Sequence, residues 1–517
     1  MGLMQELIRA AAYATYLLVP YLFIIATYRI RLHPLKGYPG PVLAKLTDCY
    51  GGYQAVKKRT HLDVWQGHKQ HGPVVRYGPN RLLFNSATAV QDIYQNPNFT
   101  KSQLYVHSRL GSGSSIVSTI DKDHHRHKRH LYVQALSDRS MRMFEPTVLE
   151  HLDGFLKLVL QSCNSFTPTE MTSRCQYLGF DVIGSLALGQ RLNLQTEEKN
   201  RVILRLLIAA KTQVNILMHL PAFCFLSPVL RALPSRQGRQ FRSALTDIFM
   251  ARKTQESEQQ DLYSILSGPA TEDIFENITG EIVFFMTAGG TPPATIICAL
   301  LFYLSRYPEC YKALAHEIRS TFSSSKEIRS GSQLASCKYL RACIEESMRI
   351  NPPALATLWR EQAEDSHGPV TVDGHAVPRG TQVGVNIYAL HHNEDYFPDP
   401  FAFKPERWLE TSGSMTSEDS ARSKSQKAFI PFIVGPRACA GKAMVYLEVS
   451  LAVAKILWFF DFETAPGPLG KVGEGEPGNT NGRHRVNEFQ MLDVFNSHHR
   501  GPNLLFRTRG DFYSELV

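Results

Sequence analysis

The chain has 517 residues, of which 43% are hydrophobic and 20% charged, and it carries a formal net charge of +9. This size and composition suffice for a large buried core. The basic charge occurs without a DNA- or RNA-binding motif, which argues against a nucleic-acid-binding protein. The nine cysteines are widely spaced and include no CxxC pair, so neither a disulfide framework nor a zinc ribbon is indicated.

The N-terminal part of the chain predicts a membrane anchor. Residues 10–28 run without a charge, which is close to the roughly 20 residues that span a bilayer. Basic residues are denser after this run than before it, so the positive-inside rule leaves the rest of the chain cytosolic. A cleaved signal peptide is the alternative, but the run is long for one and lacks a small-x-small end. The predicted divisions are 1–9 as a short lumenal N-terminus, 10–28 as the anchor, 29–41 as a proline-rich stalk and 42–517 as the catalytic domain.

Helical periodicity dominates the remainder of the chain. Apolar residues at three- and four-residue spacing predict helices over residues 149–160, 200–218, 272–307, 334–350 and 442–460. Short β-rich runs predict strands at 74–78, 369–374, 382–388 and 504–509. The polar residues 411–426 predict a mobile surface loop. We therefore expect a mostly α (α+β) fold, a large helical bundle with small β-sheets, preceded by one transmembrane helix.

The stretch FIVGPRACAG places one cysteine among glycines and beside an arginine. A thiolate at Cys439 is stabilised by the N-terminus of a following helix, and Arg437 offers a forked donor for a carboxylate. With Phe432, Gly435 and Gly441 these residues fit the pattern FxxGxRxCxG, which resembles the haem-binding loop of the cytochromes P-450, the haem-thiolate monooxygenases. The resemblance implies that fold, haem b (iron protoporphyrin IX) as cofactor, O2 as co-substrate and Cys439 as the axial iron ligand. The two glycines would let the backbone turn tightly and approach the flat macrocycle.

Other motifs extend the resemblance over most of the chain. Glu346 and Arg349 of EESMR, with Arg407 of FKPERW, resemble the buried lock that supports the fold behind the haem, and an exposed salt bridge is the alternative. The passages YALHHNEDYFPDPFAFKPERW (388–408) and EFQMLDVF (488–495) read like filamentous-fungal members of the family.

The resemblance also implies groups that bind the haem propionates. His125 and Arg129 of HHRHKRH fit the family's [WH]xxxR pattern, and Arg360 follows the ExxR helix at the place of a further propionate ligand. A metal site in HHRHKRH is the alternative, but helical spacing scatters these imidazoles around the axis.

The chain departs from the family in the helix that activates oxygen. An acid followed by an alcohol is usual there, whereas residues 288–295 read AGGTPPAT. Thr291 therefore stands at the acid position and Pro292 at the alcohol position. The departure keeps a rival chemistry open, because haem-thiolate isomerases, dehydratases and oxidative-coupling enzymes work without that alcohol.

The two prolines of this helix suggest how protons reach the haem. Pro292 and Pro293 remove the amide donors of the carbonyls four residues earlier, which would then hold water beside Gly289 and Gly290. We hypothesise that this water, with Thr291 or Thr295, replaces the usual alcohol. A kink that only shapes the pocket is the alternative.

The resemblance implies a membrane-anchored monooxygenase of the endoplasmic reticulum that acts on a lipophilic substrate, as in secondary-metabolite biosynthesis. Electrons are expected from NADPH through a separate NADPH–cytochrome P-450 reductase, with cytochrome b5 as an additional donor. Lys128, Lys427 and Lys442 are candidates for attracting the acidic reductase. A non-catalytic haem-binding sensor is a third hypothesis.

Substrate contacts are also predicted by resemblance. They are expected from residues 104–120, 206–232, 285–295, 354–359 and a turn near 479–486. Trp359 either narrows the pocket or belongs to the core. The apolar residues 217–230 either dip into the membrane or pack on the core.

Overall fold

The structure, a computed structural model, describes residues 2–109, 114–226, 243, 252, 261–266, 278–409 and 417–516. Within these residues the α-helices are α1 (Gly2–Thr27), α2 (Val42–Leu46), α3 (Cys49–Val56), α4 (Thr60–His71), α5 (Ala87–Tyr94), α6 (Lys122–Ala135), α7 (Asp138–Asn164), α8 (Met171–Leu188), α9 (Val202–His219), α10 (Leu262–Leu266), α11 (Ile278–Leu304), α12 (Pro308–Thr321), α13 (Ser332–Ser336), α14 (Lys338–Ile350), α15 (Ile387–His391), α16 (Ser417–Ala428) and α17 (Lys442–Phe459).

The strands form small sheets at the margins of the helices. They are β1 (Val74–Gly78), β2 (Arg81–Phe84), β3 (Phe99–Lys101), β4 (Thr169–Glu170), β5 (Arg360–Gln362), β6 (Val370–Val372), β7 (His375–Val377), β8 (Gln382–Val385), β9 (Phe460–Thr464), β10 (Met491–Val494), β11 (Asn496–His499) and β12 (Asn503–Thr508). The largest sheet has the order β1-β2-β8-β5-β3, in which β2 and β8 are parallel and the other pairs antiparallel.

The long helix α11 is the centre of the core. It packs against α8, α14 and α17, and most of its residues are buried. The contact with α8 is close because glycines face each other: a Cβ on Gly179 of α8 would lie 2.4 Å from the carbonyl oxygen of Gly290. This arrangement confirms the predicted mostly α bundle with small sheets.

The N-terminal helix projects apolar side chains that the rest of the chain does not cover. A π-helical turn, Tyr28–Leu32, continues α1, and the candidate membrane span Thr15–Leu32 has none of its window buried. Two further described helices are long and apolar enough to cross a membrane, Lys199–His219 and Ile278–Leu304. The second of these is 72% buried, so its hydropathy reflects the core. The N-terminal helix is therefore a candidate membrane span that the rest of the described chain leaves uncovered.

The predicted stalk packs against β1. The amide of Arg76 donates to the carbonyl of Pro39 at 2.7 Å, and its guanidinium donates to the carbonyl of Arg29 at 2.8 Å. Gly40 has a φ of +152°, and a Cβ there would lie 2.3 Å from the carbonyl oxygen of Arg76. Backbone contacts with the sheet, in addition to proline stiffness, therefore hold this segment.

Several predicted elements change at their ends. The helix predicted over 334–350 is two helices, α13 and α14, and the strand predicted over 382–388 ends at Val385, before α15. The loop predicted over 411–426 is wrong for its second half, because α16 begins at Ser417; residues 411–416 lie outside the described residues, as do 272–277 of the predicted helix. Polar composition indicated exposure at α16 but could not distinguish a surface helix from a loop.

Candidate active site

A cavity of about 390 Å³ lies between α11 and the loop that carries Cys439. Its lining is mostly apolar, including Ile183, Leu207, Val283, Phe285, Ile296 and Met444. Basic residues gather at one edge, near the cysteine. The predicted ligand and the predicted oxygen-activating helix therefore line the same cavity.

Backbone contacts fix the cysteine loop. The amide of Cys439 donates to the carbonyl of Phe432 at 2.9 Å, and the amide of Ala438 donates to the carbonyl of Gly435 at 3.0 Å. Gly435 has a φ of +82°, and a Cβ there would lie 2.0 Å from the carbonyl oxygen of Tyr94, the last residue of α5. Gly435 is thus required by a neighbouring helix, and not only by the approach of the macrocycle that the sequence suggested.

The thiol of Cys439 faces the cavity at the start of α17. Gly441 is the N-cap of this helix, which begins at Lys442 as the sequence predicted. Burial raises the pKa of Cys439, while the amide of Gly441 and the charges of Arg129 and Lys442 lower it. Burial is the largest effect, so the helix N-terminus alone does not make Cys439 a thiolate, and a bound metal ion would favour deprotonation.

Two of the predicted propionate ligands lie at the basic edge. Arg437 donates to the carbonyls of Thr119 at 2.8 Å and Ile120 at 2.7 Å. Arg360 donates to the carbonyl of Trp359 at 3.0 Å. Burial, and then the charge of Arg360, lowers the pKa of Arg437 to about 10. The guanidinium of Arg437 therefore remains cationic at neutral pH, and both arginines line the cavity.

The other two predicted ligands come from α6. Arg129 donates to the carbonyl of Ala438, next to Cys439. His125 is 5% exposed, and its pKa is lowered to about 2, first by burial and then by cations that include Lys101. His125 is therefore a neutral donor or acceptor, while Arg129 links α6 to the cysteine loop.

Lys101 joins this edge although the sequence did not single it out. It lies directly opposite Arg360 in the β3–β5 pair, and its ammonium donates to the carbonyls of Ile116 at 2.6 Å and Val117 at 2.9 Å. Burial, followed by the charges of Arg437 and Arg360, holds its pKa well below the ordinary lysine range. Only the strand pairing, which no local pattern gives, brings Lys101 to the site.

The basic edge fits a dianionic group. Lys101 and Arg360 lie directly opposite each other in the β3–β5 pair. Like charges in such positions destabilise a sheet. Within the part of the chain that the structure describes, Lys101, Arg129, Arg360 and Arg437 form no ion pair with a carboxylate. Two carboxylates from a ligand would offset part of this charge, so the residues present fit the propionates of haem, with Cys439 beside them.

The opposite wall of the cavity is α11. Ala288, Pro292 and Pro293 line it. The lining includes Gly289 and lacks the other predicted catalytic residues, namely Gly290, Thr291 and Thr295. Because the prolines have no amide hydrogen, the carbonyls of Ala288 and Gly289 receive no i+4 hydrogen bond, as the sequence indicated.

The two glycines of this wall serve helix packing. A Cβ on Gly289 would lie 2.4 Å from Cδ1 of Ile183, and a Cβ on Gly290 would lie 2.8 Å from the ring of Phe180. Both contacts belong to α8. Their missing side chains let α8 and α11 approach, which is a role that the sequence did not indicate. That water lies beside these glycines stays a prediction.

Thr291 and Thr295 are not among the residues that line the cavity. The hydroxyl of Thr295 donates to the carbonyl of Thr291 at 3.1 Å and lies 3.0 Å from the hydroxyl of Ser497. The hydroxyl of Thr291 accepts from the ammonium of Lys211 at 3.3 Å. Neither residue reaches the cavity directly, because a helix turns about 100° per residue and positions 288, 289, 292 and 293 form the cavity face.

The Glu346–Arg349 pair of the predicted lock is fully buried, and the side chain of Arg407 is 16% exposed. Arg349 binds both carboxylate oxygens of Glu346 at 2.9 Å, and Arg407 reaches the same carboxylate at 3.1 Å. The indole of Trp408 donates to it at 2.9 Å. Burial alone would raise the pKa of Glu346, but Arg349 and Arg407 together lower it. This network has none of the features of an exposed salt bridge.

The expectations about Lys128 and about the turn near 479–486 change, and the structure decides between the two alternatives for Trp359. Lys128 is fully buried and paired with Glu281 at 2.9 Å, so it does not face an external partner. Trp359 is 1% exposed and belongs to the core. The predicted turn near 479–486 does not line the cavity, whereas the β10–β11 turn does through Phe495 and Asn496.

The apolar residues 217–230 divide into two parts. Met218 and His219 are buried, and a Cβ on Gly52 of α3 would lie 2.9 Å from Leu220, so the first part packs on the core. Phe223 is 44% exposed. Residues 227–230 lie outside the described residues.

A cysteine at a helix N-terminus, an apolar helix across the cavity and an anion-binding edge define a haem-thiolate protein. Residues 40–472 match the family model of cytochrome P-450. Cytochrome P-450 monooxygenase AKT7 of Alternaria alternata is 33% identical, with 98% of both chains covered. Cytochrome P-450 monooxygenase poxM of Penicillium oxalicum is 34% identical, with 97% of this chain and 95% of its own length covered. The chain belongs to the cytochrome P-450 family, and its enzyme class is haem-thiolate monooxygenase.

Proposed function

We propose that this enzyme is anchored in the endoplasmic reticulum membrane and inserts one oxygen atom of O2 into a lipophilic substrate of secondary metabolism, using electrons from NADPH. The observation that carries this proposal is the shared cavity of Cys439, the basic edge and the apolar wall of α11. Haem, when bound, supplies the activation of O2. The fungal relatives are named monooxygenases, which favours the same reaction type here.

The protein's own residues would hold the cofactor and enclose the substrate. Cys439 would ligate the iron, while Lys101, Arg360 and Arg437 would bind the propionates by charge-assisted hydrogen bonds. The apolar lining excludes water and offers contact to a hydrocarbon body without polar penalties. The carbonyls of Ala288 and Gly289, which lack helical donors, remain our candidates for holding water that delivers protons.

Exposed apolar side chains support membrane attachment. Tyr16 and Leu17 on α1 are 78% and 71% exposed, and Leu43 of α2 is 63% exposed. An exposed apolar surface that continues from a helix long enough to span a bilayer is typical of a membrane-bound enzyme. We propose that α1 spans the membrane and that α2 and Phe223 contact its surface.

The electron donor is proposed to be a separate reductase that docks near Cys439. Lys442 and Lys427 are exposed, and Lys442 lies at the start of the helix that follows the cysteine. Neutralising Lys442 should slow reduction more at low than at high ionic strength, because salt screens exposed charges. Equal slowing at both ionic strengths would contradict electrostatic docking.

The main test combines a spectrum with an isotope. The reduced protein with carbon monoxide should give the thiolate-type Soret band, and Cys439→Ser should abolish it. Microsomes with reductase, NADPH, labelled O2 and candidate lipophilic substrates should give a product carrying one labelled oxygen atom. A wild-type protein without the thiolate band, or Cys439→Ser protein that keeps it, would overturn the proposal.

One observation favours a second candidate, a haem-thiolate isomerase, dehydratase or coupling enzyme. Pro292 occupies the alcohol position, and Thr287, which lines the cavity, donates its hydroxyl to the carbonyl of Val283 at 2.8 Å. Turnover without NADPH and reductase would favour this candidate, whereas strict dependence on both would exclude it.

A further inference from the structure

A single lysine of α9 faces the active-site cavity. Lys211 lines it together with Leu207, Ala210 and Val214, and residues at this spacing share one face of a helix. These three neighbours carry no side-chain hydrogen-bond acceptor. A cationic group therefore stands on an otherwise apolar face.

Among the residues that the structure describes, the ammonium of Lys211 has one weak hydrogen-bond partner. It donates to the hydroxyl of Thr291 at 3.3 Å, and within the described residues it forms no ion pair with a carboxylate. The charged or titratable groups that sense it are His498 and His499, whose pKa values it helps to lower. Burial lowers the pKa of Lys211 to about 8, so it is mostly protonated at neutral pH. An ammonium has three donors, and two remain for a ligand.

Lys211 is separate from the basic edge that fits the haem propionates. The cations that lower the pKa of His125 at that edge are Lys101, Arg437, Arg129 and Arg360, and Lys211 is not among them. The propionates would therefore be bound without Lys211, whose charge remains for another anion.

The departure of α11 from the family pattern bears directly on this lysine. Thr291 stands where the family usually has an acid, and its hydroxyl is the partner of Lys211. A carboxylate at that position would pair with the ammonium and cancel its charge. The threonine orients the ammonium and leaves it cationic.

We propose that Lys211 binds a carboxylate of the substrate, so that this enzyme acts on a lipophilic carboxylic acid. A partly buried cation next to apolar side chains is costly without a counterion, and a substrate carboxylate would supply one through charge-assisted hydrogen bonds. The apolar lining contacts the hydrocarbon body, and the fixed carboxylate sets which carbon lies near Cys439. The inference rests on the proposed function and specifies its substrate class.

The test uses acids and their methyl esters as paired probes. A panel of linear, branched and aryl-substituted lipophilic carboxylic acids is titrated into the holoenzyme, with binding followed by the haem spin-state shift and by thermal stabilisation. At least one acid should bind about tenfold or more tightly than its ester, as expected for hydrogen bonds to a charged group. No binding by any acid, or no preference for the acid, would overturn the proposal.

Four variants assign the preference to the lysine. Lys211→Met removes the charge and Thr291→Asp neutralises it in place, so both should abolish the preference for the acid. Thr291→Asn, close in size to aspartate but uncharged, and Arg205→Met, at an exposed site on the same helix, should preserve it. A preference that survives both Lys211→Met and Thr291→Asp overturns the proposal. If the preference survives in both variants while each forms less product per NADPH than the wild type, Lys211 would instead act as a proton donor.

The outcome is distinguishable from failure of the proposed monooxygenase. The carbon monoxide spectrum of the wild-type protein reports the thiolate-bound haem. Thermal stabilisation by an acid over its ester reports Lys211 without any turnover.

Discussion

The two walls of the active-site cavity are fixed in different ways. On the cysteine wall, a Cβ on Gly435 would meet the backbone of Tyr94. On the α11 wall, a Cβ on Gly289 would meet the side chain of Ile183. Backbone atoms move only with their helix, whereas side chains can change rotamer. The difference teaches that the same glycine-to-alanine change should have unequal effects on the two walls.

The helices of the two walls, α11 and α17, also differ in how each accommodates a buried carboxylate. Glu281 of α11 is fully buried, pairs with Lys128 at 2.9 Å and accepts from Tyr132 at 2.7 Å. Glu448 of α17 is also buried, but neither of its carboxylate oxygens has a hydrogen-bond partner in the described part of the chain. One carboxylate is therefore part of an ionic network, and the other is best accommodated as a neutral acid.

The largest effect is expected at Gly435. Gly435→Ala adds a Cβ 2.0 Å from the carbonyl oxygen of Tyr94, at a φ of +82°. The left-handed conformation alone costs an alanine about 1 kcal/mol, and the clash would displace the cysteine loop. We expect most of the haem to be lost, as measured by the haem-to-protein ratio and the Tm.

The control separates strain from the clash. Gly374 has a φ of +76° with no atom within 4 Å of a built Cβ, so Gly374→Ala should lower stability slightly and retain haem. Full haem content in Gly435→Ala would show that the cysteine wall is not rigid.

The next largest effect is expected at the buried ion pair. Glu281→Gln leaves the buried ammonium of Lys128 without its counterion. Removing one partner of a buried ion pair lowers the free energy of unfolding by about 3–5 kcal/mol. Denaturant unfolding should show this loss. Glu309→Gln removes a carboxylate from an exposed pair with Lys312 and should change stability by less than about 1 kcal/mol. Similar effects of both changes would refute a structural role for the buried pair.

A moderate effect is expected at Gly289. Gly289→Ala places a Cβ 2.4 Å from Cδ1 of Ile183, and overpacking of this kind costs about 1–3 kcal/mol. Gly154→Ala, on α7 with no atom within 4 Å, should instead stabilise the protein by roughly 0.5–1 kcal/mol, because alanine favours helix. Combining Ile183→Ala with Gly289→Ala should partly relieve the overpacking. If the two changes lowered the free energy of unfolding additively, the contact would be contradicted.

The effect expected at Glu448 depends on pH and has the opposite sign. Burial raises the pKa of Glu448 to about 8 from an ordinary value of 4.5. The folded state therefore keeps a proton that the unfolded state releases, so stability is lost as the pH rises from 4.5 to about 8. Glu448→Gln should remove this loss and, at about 1.4 kcal/mol for each unit of pKa shift, be more stable than wild type by roughly 4–5 kcal/mol at the upper end of that range. The advantage should vanish near the lower end, and a constant difference would contradict the titration.

The sequence predicted the cysteine wall well because its signal is local. Phe432, Gly435, Arg437, Cys439 and Gly441 lie within ten residues, and the helix that follows them is strongly apolar. The fold class followed from helical periodicity, which is set by burial along one face of each helix.

The residues that the sequence missed owe their positions to distant contacts. Lys101 reaches the site through the pairing of β3 with β5, and Lys211 through the packing of α9 over the cavity. Neither contact leaves a local pattern. Lys128 had a usable signal, since His125, Lys128 and Tyr132 follow helical spacing and are all buried.

The opposed charges of Lys101 and Arg360 have a consequence for biogenesis. Before the porphyrin is inserted, the newly synthesised polypeptide accommodates these facing groups at a cost, because burial, Arg437 and Arg360 hold the pKa of Lys101 well below the ordinary lysine range. Ligands that bind only the folded state stabilise it by mass action, so porphyrin uptake should complete maturation as well as equip the enzyme for chemistry. Chains made under iron starvation should accordingly be degraded faster than those made when iron is plentiful.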